Sequence, residues 1–146
     1  NRNLYKERTT DIMWEDILKQ TPISNIIIRG NNVTAIYLDP KSKEKLKMNV
    51  NIHEDSLDGN IVDKEGVQLT RAFAEKIDDD VFQAKDVSTK TEFMRRGYAE
   101  NLYHLIAYAL SNQNYDFVGD TGQSGEADNM WNKNSTYGSW DIPEYM

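Results

Sequence analysis

The run Leu46-Lys47-Met48-Asn49-Val50-Asn51-Ile52 alternates apolar and polar side chains without a break. Successive strand residues point to opposite faces of a sheet, so this stretch buries one clean face only as a β-strand, leaving Lys47, Asn49 and Asn51 wet. One such strand is not stable alone and needs neighbours. The preceding residues supply them: Ile26-Ile27-Ile28 and Val33 to Tyr37 read as two strands. Gly30-Asn31-Asn32 between them tolerates the positive φ of a hairpin turn. A Lys-rich turn over 41–45 then leads into the third strand.

Elsewhere the period changes. Ile12-Met13-Trp14 with Ile17-Leu18 predicts one or two helical turns, stopped by Thr21-Pro22 because a residue before Pro avoids the α region. Residues 55–66 read as a polar loop, and Val67 to Ile77, with Val67, Ala72, Phe73 and Ile77 near helical spacing, as a helix. Val81 to Thr89 reads as a strand. Tyr98 to Asn112 is the clearest helix, its stripe built by Ala99, Leu102, Tyr103, Ile106, Ala109 and Leu110. Tyr115 to Val118 is a short strand and Ser124 to Trp131 starts another helix. Tyr137 to Met146 is an end or an edge strand, given Pro143. Strands followed by strand–helix alternation predict an α/β or α+β layered fold.

The chain has 146 residues, enough for one domain with its own core and too short for two ordinary ones. Its net charge of -7 repels phosphate backbones and anionic lipid, so neither nucleic acid nor membrane is an expected partner. Absence of Cys removes disulfides, thiolate metal sites and a thiol nucleophile together. No apolar run reaches membrane-spanning length, and Asn1-Arg2-Asn3-Leu4 is no signal sequence, so a cytoplasmic protein is expected.

The chemistry concentrates in Thr89-Lys90-Thr91-Glu92-Phe93-Met94-Arg95-Arg96-Gly97-Tyr98-Ala99, which joins a strand to the start of the strongest helix. A helix start presents unpaired N–H groups and the positive dipole end, a natural seat for phosphate oxygens. Gly97 permits close backbone approach, and Arg95 and Arg96 add charge. On these residues alone, an anion site and a charged loop ahead of an ordinary helix are both open readings.

The run from Thr91 to Ala99 resembles the acyl-CoA pyrophosphate loop of the GNAT superfamily of N-acetyltransferases. Tyr115-Asp116-Phe117-Val118 is similar to that family's next strand, and Asp120-Thr121-Gly122-Gln123-Ser124 through Trp131 to its closing helix, in a variant seen in small phage-encoded members. The resemblance covers about residues 81–133. It implies a single domain over 1–146: a variable N-terminal half over residues 1–80, an acyl-CoA half over 81–133 and a short tail over 134–146. The implied fold is a mixed central sheet with helices on both faces and parallel strands splayed at the acyl-CoA site. Acetyl-CoA would be the co-substrate, with Val87, Ser88 and Thr89 on its pantetheine arm. Met94, Arg95, Arg96, Gly97, Tyr98 and Ala99 would form the diphosphate loop, and Ser124, at a common Asn position of the family, would be a further cofactor-binding residue. The reaction would be direct acetyl transfer to an amine on a small molecule or protein.

The sequence also departs from that family. Met94 stands where Arg or Gln is usual, and Trp131 where many members carry the Tyr that protonates the thiolate, which leaves Tyr137 or water as the acid. Asp86 and Asp120 are the carboxylates nearest to a base position. These departures support the alternative, a weakly active or inactive relative with a structural or interaction role, in a phage virion, another protein assembly or a homodimer. Other signals carry less. Glu54 to Glu65 has the spacing of a calcium loop, with Gly59 sixth and Glu65 twelfth, but its first residue is Glu and Val62 offers no ligand. His53 and His104 are too few for a metal cluster, so no metal is expected. Neither Ser88 nor Ser124 has a His in any motif.

Overall fold

The structure, a computed structural model, describes Asp16 and residues 18–119. It consists of one curled, half-barrel sheet of seven strands in chain order with a helix laid along its inner side. The strands are β1 (Ile23–Arg29), β2 (Asn32–Leu38), β3 (Lys45–Ile52), β4 (Ser56–Val62), β5 (Gln68–Asp78), β6 (Val81–Thr89) and β7 (Asp116–Val118). β1 to β6 form an antiparallel meander, and α1 (Tyr98–Ser111) carries the chain across to β7, parallel to β6. Among the described residues, no helix is long and apolar enough to cross a membrane.

The alternation that predicts β3 holds: Leu46, Met48, Val50 and Ile52 are buried and their neighbours face outward. β2 turns Val33, Ala35 and Tyr37 to the same side, and Gly30 at φ 60° makes the tight β1–β2 turn. Against this inner face lies α1, whose Leu102, Leu105, Ile106 and Leu110 are wholly buried. Each such side chain stabilises by about 1.5–3 kcal/mol relative to exposure. The helix ends on Asn114 in the left-handed region (φ 63°). Tyr115 N–H then bonds Leu110 C=O at 2.9 Å and Asn114 N–H bonds Ser111 C=O at 3.0 Å, the paired closure that aims the chain into β7.

Two segments correct the sequence reading. Residues 55–66 are neither a polar loop nor a calcium loop: they contain β4, with Leu57 and Ile61 buried and Gly59 in mid-strand. A Cβ on Gly59 would lie 3.3 Å from Asn49 C=O and from Ile106 and Leu102 Cδ1, so glycine is there to admit the helix, not to make a turn. Asp58 and Asn60, which look like turn residues, bond across strands instead. Asn49 Nδ2 donates to Asn60 Oδ1 at 2.9 Å and Asn51 Nδ2 to Asp58 Oδ1 at 3.2 Å.

Val67 to Ile77 is not a helix either. It is mostly β5, with Leu69, Thr70, Ala72 and Ala74 facing the interior and Arg71 and Glu75 facing water. Its Ala, Glu and Lys are good helix formers, but a slot between β4 and β6 overrides that preference.

The expected mixed sheet with helices on both faces is likewise overturned: among the described residues the fold is mostly sheet, with one long helix beside it. The outer face explains why. Asn32, Asn49, Asn51, Asp58 and Asn60 form a hydrogen-bonded polar ladder there, which breaks up Ile27, Ile36, Val62 and Phe73 on the same face and offers a second helix no continuous apolar seat among the described residues.

Candidate functional site

Three features meet where β6 ends and α1 begins. The first is an open strand edge. β6 pairs with β7 only through Val81, Phe82 and Gln83, so among the described residues Ala84 to Thr89 bond β5 alone. The phase of that ladder follows from one bond, Lys90 N–H to Leu69 C=O at 2.9 Å. Antiparallel strands bond at alternate residues, so Ser88 turns its amide and carbonyl to β5, whereas Val87 and Thr89 turn theirs away. A bulge at Lys85, between the Asp86–Phe73 and Ala84–Ala74 pairs, separates this stretch from the residues that pair with β7.

The second feature is the turn itself. Residues Thr91–Phe93 make a single 3₁₀ turn, in which Phe93 N–H bonds Lys90 C=O at 2.8 Å. Arg95 (φ 64°) and Gly97 (φ 84°) then both adopt left-handed conformations on either side of Arg96. Changes of backbone hand of this kind gather successive amides on one side and form anion-binding concavities. Among the described residues, the amides of Arg95, Arg96, Gly97, Tyr98 and Ala99 have no carbonyl partner. Gly97 caps the helix with its carbonyl alone, which accepts from Asn101 N–H at 2.9 Å and Asn101 Nδ2 at 2.8 Å.

The third feature is a buried polar cluster that holds the turn. Asp39, only 1% exposed, lies in the β2–β3 connection, where its Oδ1 accepts from the amides of Lys41 at 2.7 Å and Ser42 at 3.2 Å. Its Oδ2 accepts the phenol proton of Tyr98 and lies 3.5 Å from Arg96 Nη1. Burial works to raise the Asp39 carboxyl, but the Tyr98 bond, the two amides and Arg96 together hold it below the ordinary value. Burial and the same carboxylate push the Tyr98 phenol well above its usual range. Burial, aided by Asp39 and Glu100 and opposed by a bond from Asn101, pushes Tyr37 up to about 12. Rings reinforce the contacts: Tyr98 stacks on Phe93 at 5.6 Å and meets Tyr37 edge-on at 5.2 Å, and the Arg96 guanidinium sits 5.1 Å from the Phe93 ring centre.

These positions revise the roles expected from sequence. Arg95 and Met94 are exposed beside the turn, but Arg96 leans inward to Asp39. Tyr98 contributes a buried side chain as well as an amide, and Ala99 is half-buried in the first helical turn. Ser88 has its backbone committed to β5. Asp86 is exposed on the outer face opposite Phe73, away from the cluster. Asp120, Ser124 and Tyr137, with the helix expected over 124–131 and the strand over 137–146, lie outside the described residues.

His53 is paired on the surface with Asp58 at 2.8 Å, and His104 is buried with its Nε2 3.9 Å from Glu100. Among the described residues no group of three or more His, Asp or Glu side chains is placed to hold a metal ion. Sequence reasoning missed Asp39, Tyr37 and Asn101. The signals present were an Asp-Pro turn for Asp39 and, for Asn101, an amide on an otherwise apolar helical stripe. Compared with protein-family models, with curated proteins and with solved structures, the chain shows no match.

Proposed function

We propose that the mouth between β6 and α1 binds an acyl coenzyme A, and that the chain transfers the acyl group to an amine. One observation carries this reading: the unbonded backbone edge at Val87 and Thr89 runs directly into a turn whose five successive amides lack carbonyl partners among the described residues. An extended arm bearing amides, such as pantetheine, pairs with a free strand edge as an added strand does. A diphosphate suits the amides of residues 95–99, the helix dipole and the Arg95 guanidinium. The spacing is in the right order, arm on the strand and charge at the helix.

In the reaction, the amine nitrogen bonds to the thioester carbonyl carbon, the C–S bond breaks, and the amine proton passes to a base while the thiolate takes one up. Asp86, one residue before Val87, and Asp120 are the proposed bases, and Tyr137 or water the acid. Calorimetric titration with acetyl-CoA is expected to show saturable binding, and a panel of amines to release free thiol. No heat of binding at millimolar ligand would overturn the reading.

A second reading, a binding or assembly module without turnover, is favoured by Arg96: its charge is spent on Asp39, leaving Arg95 as the outward cation of the pair. Binding without thiol release would select it.

A further inference from the structure

We infer that Asp39 is the positioning residue of the anion turn. It sets the binding-ready conformation of residues 95–99 through Tyr98 and Arg96, and this rests on the acyl-CoA reading above. Asp39 touches no proposed ligand position. It belongs to the β2–β3 connection, where Lys43 N–H bonds its carbonyl and its own N–H bonds Glu44 C=O, both at 2.9 Å. One carboxylate oxygen therefore organises its own turn and the other reaches across to the helix start.

The consequence is mechanical. The turn between Met94 and Tyr98 contains two left-handed residues, one of them Arg95, a residue type that rarely adopts positive φ without outside support. Past the bond from Met94 N–H to Thr91 C=O at 3.3 Å, little within the described turn holds that conformation. The enforcement comes from outside: Tyr98 OH and Arg96 on Asp39, Tyr37 OH donating to Arg96 C=O at 3.4 Å, and Asn101 on Gly97 C=O. Asp39 is the anionic member of that set, and its bonds are the stronger ones for it. It also decides which of the two arginines faces outward, by drawing Arg96 in. The site thus offers its anion a backbone cradle with one guanidinium, a design for a diphosphate held mainly by N–H groups.

The test compares wild type with Asp39→Asn, Asp39→Glu and Tyr98→Phe, all checked for folding by circular dichroism. Ligands are coenzyme A and S-acetyl-pantetheine, which lacks the diphosphate. Asp39→Asn is expected to weaken coenzyme A binding about tenfold or more, ~1.4 kcal/mol, and to leave S-acetyl-pantetheine binding unchanged. Asp39→Glu is expected to recover some of the loss. Equal weakening of both ligands, or none, overturns the inference.

A second arm needs no ligand. Trypsin is expected to cut after Arg95 and Arg96 faster in Asp39→Asn and Tyr98→Phe than in wild type, while cutting at Lys64 is unchanged. If wild type binds no coenzyme A, the acyl-CoA reading and the ligand arm fall together. Equal trypsin rates at the turn would then refute Asp39 as its anchor independently.

Discussion

Replacing Gly59 by Ala tests the central packing claim, that α1 lies directly on the backbone of β4. The added methyl would sit 3.3 Å from three atoms, Asn49 C=O, Ile106 Cδ1 and Leu102 Cδ1. Two of these are ends of side chains that can shift by a few tenths of an ångström, and the third is a carbonyl in a paired strand that cannot do so cheaply. Overpacking of this kind costs about 1–3 kcal/mol, and the lost freedom of the unfolded glycine returns about 0.4–1 kcal/mol. The expected net loss is therefore roughly 0–2.6 kcal/mol, about 1.3 kcal/mol at the midpoint, which is a fall in Tm of roughly 3–5 °C for a chain of this size. Ile106→Val removes one of the crowding atoms. Alone it is expected to cost about 0.5–1.5 kcal/mol, but in the double variant the two losses should overlap by at least about 0.5 kcal/mol. Urea unfolding of the four proteins, followed by circular dichroism, reads the cycle. Strict additivity, or a Gly59→Ala variant more stable than wild type, would show that the helix does not press on this strand.

Three further outcomes follow from the buried cluster and the helix. Tyr37, held up to about 12, and Tyr98, raised further, should remain protonated in the folded protein at a pH near 10, where an unperturbed phenol is half ionised. Their stabilising contribution is full below the unfolded phenol value and is lost as pH rises through the folded ones; an absorbance titration at 295 nm complete by pH 11 would refute this. Asp39 has the opposite sign: its lowered carboxyl stabilises above the unfolded value near 4 and is lost as pH falls through the folded one. Acid unfolding of Asp39→Asn should therefore show a shallower loss of stability below pH 4 than wild type, and a parallel curve would remove Asp39 from the account. Leu105→Ala, at a wholly buried position of α1, should cost about 2–5 kcal/mol in urea unfolding, and a loss below 1 kcal/mol would mean the helix is peripheral.

What could be read from sequence was whatever a single local period reports. β3, β6 and α1 each have one dominant face, so period 2 or 3.6 stands out and their bounds agree with the structure to within a residue. β4 and β5 failed because the inward positions that face α1 most closely are small, even though Leu57 and Ile61 flank them. Gly59, Ala72 and Ala74 leave room for α1 and so remove the large apolar residues that would have marked the strands. With those gone, the polar residues around Asp58-Gly59-Asn60 read as a loop, and the spacing of Val67, Ala72, Phe73 and Ile77 read as a helix. The two errors have one cause: the element that shaped these residues lies far later in the chain.

The same long reach hides half of the candidate site. Gly97, Ala99 and the arginines form a contiguous motif, whereas Asp39 meets Tyr98 across a separation of 59 residues and no spacing rule connects them. Once the helix is in place, these separate facts bear on each other. α1 is stopped sideways by Gly59 and closed at its far end by Asn114. At its near end it is tied to Asp39 by its first residue and by the arginine two positions earlier. A helix fixed at both ends and along its side cannot tilt to improve its fit to a ligand, so the direction of its first amides is decided by the sheet. If those amides receive an anion, the ligand must come to the position that β2, β3 and β4 have chosen, and affinity should respond to substitutions at Asp39 more than to the length or charge of the exposed side chains at the turn.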